Sequence, residues 1–131
     1  KYIDQVMLYN NQSAYTTALI VPNREALKRK LSHLNLTLDT EEGRKAAVKK
    51  LEEELAKYKK GGEFEGMFPE RWLPTVFAVL AEPFTEQNQM INSTMKMVRG
   101  KIEKAYADRI EYMYTPEGKQ LLNPRNIEAL A

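Results

Sequence analysis

Two cations and a run of polar residues lie in the segment 82–99, which reads EPFTEQNQMINSTMKMVR. Pro83 ends any extended structure on one side, and the polar residues after it favour turns and caps. Lys96 is therefore predicted to lie on the edge of a loop. A lysine there is a mobile charge that suits a phosphate or carboxylate whose charge changes during a reaction. The alternative interpretation is a solvated lysine with no chemistry.

The same segment resembles the last core motif of long-chain acyl-CoA synthetases, which commonly reads EPFT..NGLLTPT.K..R. Lys96 and Arg99 match the lysine and arginine of this motif. Gln89 stands where the motif usually has glycine, and Asn92-Ser93 replace its Thr-Pro, which predicts an altered turn and a less restricted loop. The segment 2–23 is similar to the family's first stretch after the interdomain hinge. The chain therefore resembles the C-terminal domain of a long-chain acyl-CoA synthetase of the AMP-binding, adenylate-forming superfamily.

The resemblance implies a two-step reaction that uses ATP, Mg²⁺ and coenzyme A. A carboxylate and ATP give an acyl-adenylate and pyrophosphate, and coenzyme A then displaces AMP to give a thioester. In the family the small domain rotates between the steps, and its lysine reaches the active site of the N-terminal adenylation domain for the first. The resemblance makes Lys96 the catalytic lysine and assigns Arg99, Thr94 and Lys101 to cofactor binding.

The predicted function is thus the mobile C-terminal lid of a long-chain fatty acid CoA ligase, inactive when isolated. Its expected partners are its own N-terminal adenylation domain and a fatty acid, without nucleic acid, and the complete enzyme is a candidate for peripheral membrane association. A second lysine competes for the catalytic role, since Gly100-Lys101-Ile102 resembles the Gly-Lys-Ile of the short-chain branch. Lys96 is preferred because it follows Phe84 at the spacing of the long-chain motif, whereas Lys101 is expected inside a helix.

A basic helix offers an alternative function. Residues 96–109 hold five cations against two acidic residues, a net charge of +3 that could hold the phosphates of ATP or coenzyme A. The alternative is a non-enzymatic binding or regulatory module that uses this helix for RNA or an acidic protein. Such a module needs aromatic residues among the basic positions or a stronger net charge, and the basic runs have neither.

Composition excludes several classes of site. The 131 residues carry a net charge of +2, which is too small to demand an anionic partner. There is no cysteine and a single histidine, His33, so thiolate catalysis and cysteine or histidine metal sites are not expected. Because no apolar run approaches the roughly 20 residues of a membrane-spanning helix, a cytoplasmic protein is expected.

The pattern of apolar and turn residues predicts an α+β fold of order β-β-α-α-β-α with a C-terminal tail. Residues 2–9 and 15–21 form a hairpin, buried on both faces, and residues 75–80 add a third strand. After Arg99 one helix runs to about Tyr114. The predicted domain covers residues 1–114, and residues 115–131 form a tail with a short, loosely attached helix.

Two further helices are predicted between the second and third strands. Asn23 caps the first helix, whose buried stripe is Leu27, Leu31 and Leu34. Asp39 or Thr40 opens the second, with Glu42 completing a capping box with Asp39, and Gly61-Gly62 ends it. Its buried stripe is Ala47, Val48, Leu51, Leu55 and Tyr58. The aromatic residues Phe64, Phe68 and Trp72 are expected to clamp the following loop to the core.

Overall fold

A computed structural model describes residues 2–10, 15–57 and 74–130. Three strands form one sheet in the order β1-β2-β3, with β1 at Ile3–Tyr9, β2 at Thr17–Pro22 and β3 at Val76–Val79. β1 pairs with β2 antiparallel, and β2 pairs with β3 parallel. The predicted α+β class, hairpin and third strand are confirmed. The end of the second helix at Gly61-Gly62 and the aromatic loop after it lie outside the described residues, as do residues 11–13 of the hairpin turn.

Five helices flank the sheet in the described part of the chain. They are α1 at Arg24–His33, α2 at Glu41–Ala56, α3 at Arg99–Ala105, α4 at Ala107–Tyr112 and α5 at Pro124–Ala129. The prediction of one continuous helix after Arg99 is wrong, because Tyr106 leaves the helical conformation, with φ −113° and ψ 25°. The half-buried ring of Tyr106 packs against the same core as Ile102 of α3 and Ile110 of α4.

Each face of the sheet has its own hydrophobic core. On one face Leu19 and Ala78 pack with Ile102 of α3 and Ile110 of α4. On the other face the core contains Ile20 and Phe77 from the strands, Leu27 and Leu31 from α1, and Ala47, Val48 and Leu51 from α2. Since every residue of β2 and β3 is buried, the two cores explain why these strands read as continuous apolar runs.

The prediction that β1 is buried on both faces is wrong. β1 lies at the edge of the sheet, where only Met7 is fully buried. Asp4, Val6 and Leu8 are exposed, and the alternation along the strand has the period of two expected when one face is covered. Val6 and Leu8 lie outside the core that α1 and α2 form over β2 and β3, so the position of these helices decides the burial of β1.

The N-terminal caps of α1 and α2 are made by short polar side chains. Asn23 caps α1 by accepting a hydrogen bond from Ala26 N at 3.1 Å, as predicted. Thr40 caps α2 by accepting from Gly43 N at 3.1 Å, so the predicted Asp39–Glu42 capping box is not formed. The Thr40 hydroxyl oxygen therefore accepts the hydrogen bond that caps the first turn of α2.

The predicted apolar stripes of α1 and α2 are largely buried. Leu27, Leu31 and Leu51 are fully buried, whereas Leu55 is half-buried against the same core. The prediction that Leu34 belongs to the buried stripe is wrong, because α1 ends at His33 and Leu34 is 47% exposed. Tyr58, the last member of the predicted stripe, lies outside the described residues.

The expectation that the last residues are loosely attached is wrong. Ile127 and Leu130 are buried, and Leu130 belongs to the core beneath α1 and α2. Asn126 of α5 covers the free edge of β3: its Oδ1 accepts from Val79 N at 2.8 Å, and its Nδ2 donates to Phe77 O at 3.3 Å. The side chain thus satisfies the backbone groups that a fourth strand would otherwise pair.

Asn126→Ala is expected to lower the free energy of unfolding by about 1 to 3 kcal/mol, because it leaves buried backbone groups of β3 without a partner. Urea denaturation followed by circular dichroism measures the change. Glu128→Ala, at an exposed position of the same helix, is the control and is expected to change stability by about 0.5 kcal/mol or less. Equal stability of the two variants would show that the hydrogen bonds between Asn126 and β3 do not stabilise the domain.

Candidate functional site

The loop that carries Lys96 is a short hairpin with defined backbone hydrogen bonds. Ile91 and Met97 form an isolated antiparallel bridge, and Val98 N donates to Met90 O at 2.8 Å. Within the turn, Asn92 N donates to Lys96 O at 2.9 Å. Lys96 is exposed on this loop, as predicted. We call residues 91–97 the lysine hairpin.

Asn92 is the centre of the lysine hairpin. Its Oδ1 accepts hydrogen bonds from Lys96 N at 3.0 Å, Thr94 N at 3.0 Å and Thr94 Oγ1 at 2.8 Å. Met95 lies between these two residues with φ 64°, a left-handed conformation that is unfavourable for a residue with a side chain. The expectation of a less restricted loop at Asn92-Ser93 is therefore wrong, because the asparagine amide supplies the restraint.

The segment before the lysine hairpin is anchored to the sheet. Phe84 is buried, and its backbone exchanges two hydrogen bonds with the Gln5 side chain of β1, from Phe84 N to Oε1 at 2.8 Å and from Nε2 to Phe84 O at 3.1 Å. Asn88 Oδ1 accepts from Thr85 N at 3.0 Å and Met90 N at 3.1 Å. The contact of Gln5 with Phe84 was not predicted from the sequence, although a polar residue within an apolar strand is a signal for a contact of this kind.

The backbone conformation at Gln89 explains why the long-chain motif usually has glycine at this position. Its φ is 65°, which lies in the left-handed region that glycine adopts without a steric penalty. The turn is therefore formed without glycine. Lys101 Nζ donates a hydrogen bond to Gln89 Oε1, so the side chain that replaces the glycine also connects this turn to α3.

Three of the four predicted site residues make hydrogen bonds inside the domain. Arg99 Nη2 donates to Leu8 O of β1 at 2.5 Å, Thr94 Oγ1 donates to Asn92, and Lys101 donates to Gln89. The Lys96 ammonium has no hydrogen bond or ion pair within residues 2–10, 15–57 and 74–130. Arg99, Thr94 and Lys101 therefore support the segment that presents Lys96. Lys101 is the third residue of α3, as expected for a lysine inside a helix.

Four of the five cations in the basic region 96–109 are exposed, and Arg109 is the exception. Arg109 is half-buried, and its Nη2 donates to Asn126 Oδ1 at 3.0 Å. Burial lowers the pKa of Arg109, and the nearby charge of Arg125 lowers it further. In contrast, burial raises the pKa of Tyr106, and the nearby charge of Glu82 raises it further. These groups line an open cavity of about 620 Å³ between β3, α4 and α5. Because Arg109 donates to Asn126 of α5, it contributes to the packing of α4 against α5.

The described residues contain no group of three or more histidine, aspartate, glutamate or cysteine side chains that could hold a metal ion. Among the helices of the same residues, none has the length and apolar character needed to cross a membrane.

The fold and the lysine hairpin define a small α+β domain that offers one unpaired ammonium on a restrained loop. No protein-family model matches the chain. The chain is 27% identical over 119 residues to long chain acyl-CoA synthetase 8 of Arabidopsis thaliana, covering 86% of this chain and 16% of that protein. It is 26% identical over 114 residues to carboxylic acid reductase of Mycobacterium tuberculosis, covering 86% of this chain and 8% of the reductase.

Solved structures show the same relationship. The adenylation domain of the carboxylate reductase from Mycobacterium chelonae matches 86% of this chain and 16% of its own, with a TM-score of 0.63 and 25% identity. A didomain of carboxylic acid reductase from Segniliparus rugosus, solved with AMP, matches 86% of this chain and 14% of its own, with a TM-score of 0.57 and 25% identity. These similarities, over 86% of the chain, support a C-terminal domain of the AMP-binding, adenylate-forming superfamily.

Proposed function

We propose that the chain is the mobile C-terminal lid of a long-chain fatty acid CoA ligase and that Lys96 contacts the reacting phosphates during adenylation. The observation that carries this proposal is the lysine hairpin, where the ammonium of Lys96 has no partner among the described residues while the backbone beside it is held by Asn92. The match of Lys96 to the lysine of the long-chain motif supports the same proposal.

The first half-reaction needs a positive charge at the phosphates. A carboxylate oxygen attacks the α-phosphorus of ATP, and the bond from that phosphorus to the oxygen bridging to the β-phosphate breaks. Negative charge accumulates on the phosphoryl oxygens and on the departing pyrophosphate. A lysine brought into a cleft without water stabilises this charge more strongly than it does in solvent.

In the second half-reaction Lys96 has to lie outside the active site. The thiol of coenzyme A loses its proton, its sulfur attacks the acyl carbonyl carbon, and the bond from that carbon to the AMP oxygen breaks. A lid that rotates after the first step withdraws Lys96 and leaves room for the thiol. The exposed position of the lysine hairpin on the domain surface fits such reversible docking.

ATP, Mg²⁺ and coenzyme A belong to this proposal as ligands of the complete enzyme. The chain spans 16% or less of the length of its curated relatives, so an N-terminal adenylation domain is the proposed partner that binds the nucleotide and the fatty acid. Lys96 is the one group of this domain proposed to touch the phosphates. Mg²⁺ would be bound with ATP by the partner domain.

A second candidate function is the adenylation step of a carboxylic acid reductase. It is favoured by the matches to reductase adenylation domains over the same 86% of the chain. Both candidates require the first half-reaction and differ in what accepts the acyl group. We prefer the CoA ligase because residues 82–99 follow the long-chain synthetase motif.

The proposal predicts that adenylation requires both domains. The complete enzyme should exchange pyrophosphate into ATP when a long-chain fatty acid is present and should form acyl-CoA when coenzyme A is added. The 131-residue chain alone should do neither, because its proposed partner holds the substrates. Acyl-CoA formation by the chain alone would overturn the assignment of roles to the two domains. Exchange without any acyl-CoA would favour the reductase.

A further inference from the structure

The lysine hairpin keeps an unfavourable backbone conformation without help from packing. Met95 has φ 64°, and its side chain is 72% exposed, so no core contact holds it in place. A left-handed residue on a surface loop persists only where its neighbours determine it. The restraint must therefore come from hydrogen bonds within the hairpin.

The side chain of Asn92 makes the bonds that flank Met95. Its Oδ1 accepts from the backbone N–H groups of Thr94 and Lys96, which directly precede and follow Met95. Met95 N itself donates to Asn92 O at 2.9 Å. Removing the Asn92 amide would leave only backbone bonds in the turn, and the left-handed conformation would lose its main support.

We infer that Asn92 is a positioning residue for adenylation, because its amide oxygen fixes the backbone from which the Lys96 side chain extends. This inference rests on the proposed function of Lys96. A lysine side chain is flexible, so the direction in which its first bonds leave the backbone limits where the ammonium reaches. If the hairpin is loose, the ammonium contacts the phosphates in a smaller fraction of the enzyme molecules when the lid docks.

The complete enzyme provides the kinetic test. Asn92→Ala should lower kcat for adenylation by roughly tenfold to a hundredfold, the loss expected when a reacting group is misplaced by about 1 Å. KM for ATP and for the fatty acid should change by less than about threefold, because the variant alters placement rather than uniform binding. Thioester formation from preformed acyl-adenylate should keep the parental rate.

Two further variants separate positioning from general disruption. Asn92→Asp keeps an oxygen that accepts all three hydrogen bonds and should restore slow exchange of the Lys96 amide, whereas its negative charge opposes the phosphates and makes its adenylation rate unsuitable for this comparison. Ser93→Ala is the matched control, since Ser93 is an exposed neighbour for which the described residues show no side-chain hydrogen bond. It should behave as the parent. A slow Ser93→Ala enzyme, or an Asn92→Asp domain in which the Lys96 amide exchanges as fast as in Asn92→Ala, would overturn the inference.

Amide hydrogen exchange on the 131-residue chain tests the restraint without any reaction. The Lys96 amide should exchange roughly tenfold faster in Asn92→Ala, because its acceptor is gone, while core amides such as Leu19 stay protected. Unchanged exchange at Lys96 would overturn the inference whatever the enzyme does. Faster exchange with parental adenylation would overturn the positioning role while the proposed function stands. If Lys96→Ala itself leaves adenylation unchanged, the proposed function fails, and the positioning role fails with it.

Discussion

Leu51→Ala is expected to lower the free energy of unfolding by about 2 to 5 kcal/mol, the range for a fully buried leucine whose removal leaves a cavity. Leu51 lies in the middle of α2, has no exposed surface and belongs to the core formed with Ile20 and Phe77 of the sheet. Neighbouring side chains from α1 and the strands are fixed by their own packing, so they fill the space only in part.

Equilibrium denaturation in urea measures this effect. Leu34→Ala is a matched control, because the same substitution at a 47% exposed position should cost about 1 kcal/mol or less. Lys96→Ala, at an exposed loop position, should cost less than about 0.5 kcal/mol. If Lys96→Ala unfolded the domain, the role of the lysine would be structural, and a Leu51→Ala domain as stable as the parent would refute the two-core packing.

The order of the elements was predictable because its signals are local. Asn23 caps α1 through a residue three positions away, and the continuous apolar run of β2 reflects cover on both faces. Two of the errors arose where distant contacts decide the burial. One face of β1 is exposed because the core formed by α1 and α2 covers β2 and β3 without including Val6 or Leu8, and α5 is buried because Asn126 reaches β3, 47 residues away in sequence.

At the candidate site, too, local features were predictable from the sequence and distant contacts were not. The polar run before Lys96 was enough to predict a loop, and the lysine was found from its spacing to Phe84 in a motif. The contacts that anchor the loop were not predictable, because Gln5 and Phe84 are 79 residues apart and Arg99 and Leu8 are 91 apart. The role of Asn92 was missed for another reason. Its bonds are local, but asparagine in a polar run is compatible with many turns.

Lys96→Ala in the complete enzyme is expected to slow adenylation by roughly 10² to 10³, the loss typical of one well-placed electrostatic donor in an active site. The ammonium of Lys96 has no partner in the described part of the domain, so its removal should leave the fold unchanged. Pyrophosphate exchange measures the first half-reaction. The same variant should convert preformed acyl-adenylate and coenzyme A to thioester at nearly the parental rate, because the proposed rotation has by then withdrawn the lysine hairpin.

The competing lysine gives the decisive comparison. Lys101 lies in the first turn of α3, and its ammonium already donates to Gln89, so it is less free to enter the cleft of another domain. Lys101→Ala should leave adenylation within a few fold of the parent, and Lys104→Ala, at an exposed position of the same helix, controls for the loss of one charge. If Lys101→Ala is the slow variant instead, the short-chain pattern identifies the reacting lysine. If Lys96→Ala slows both half-reactions equally, the lysine hairpin stays in the active site throughout, and the rotation of the domain has no support from this residue.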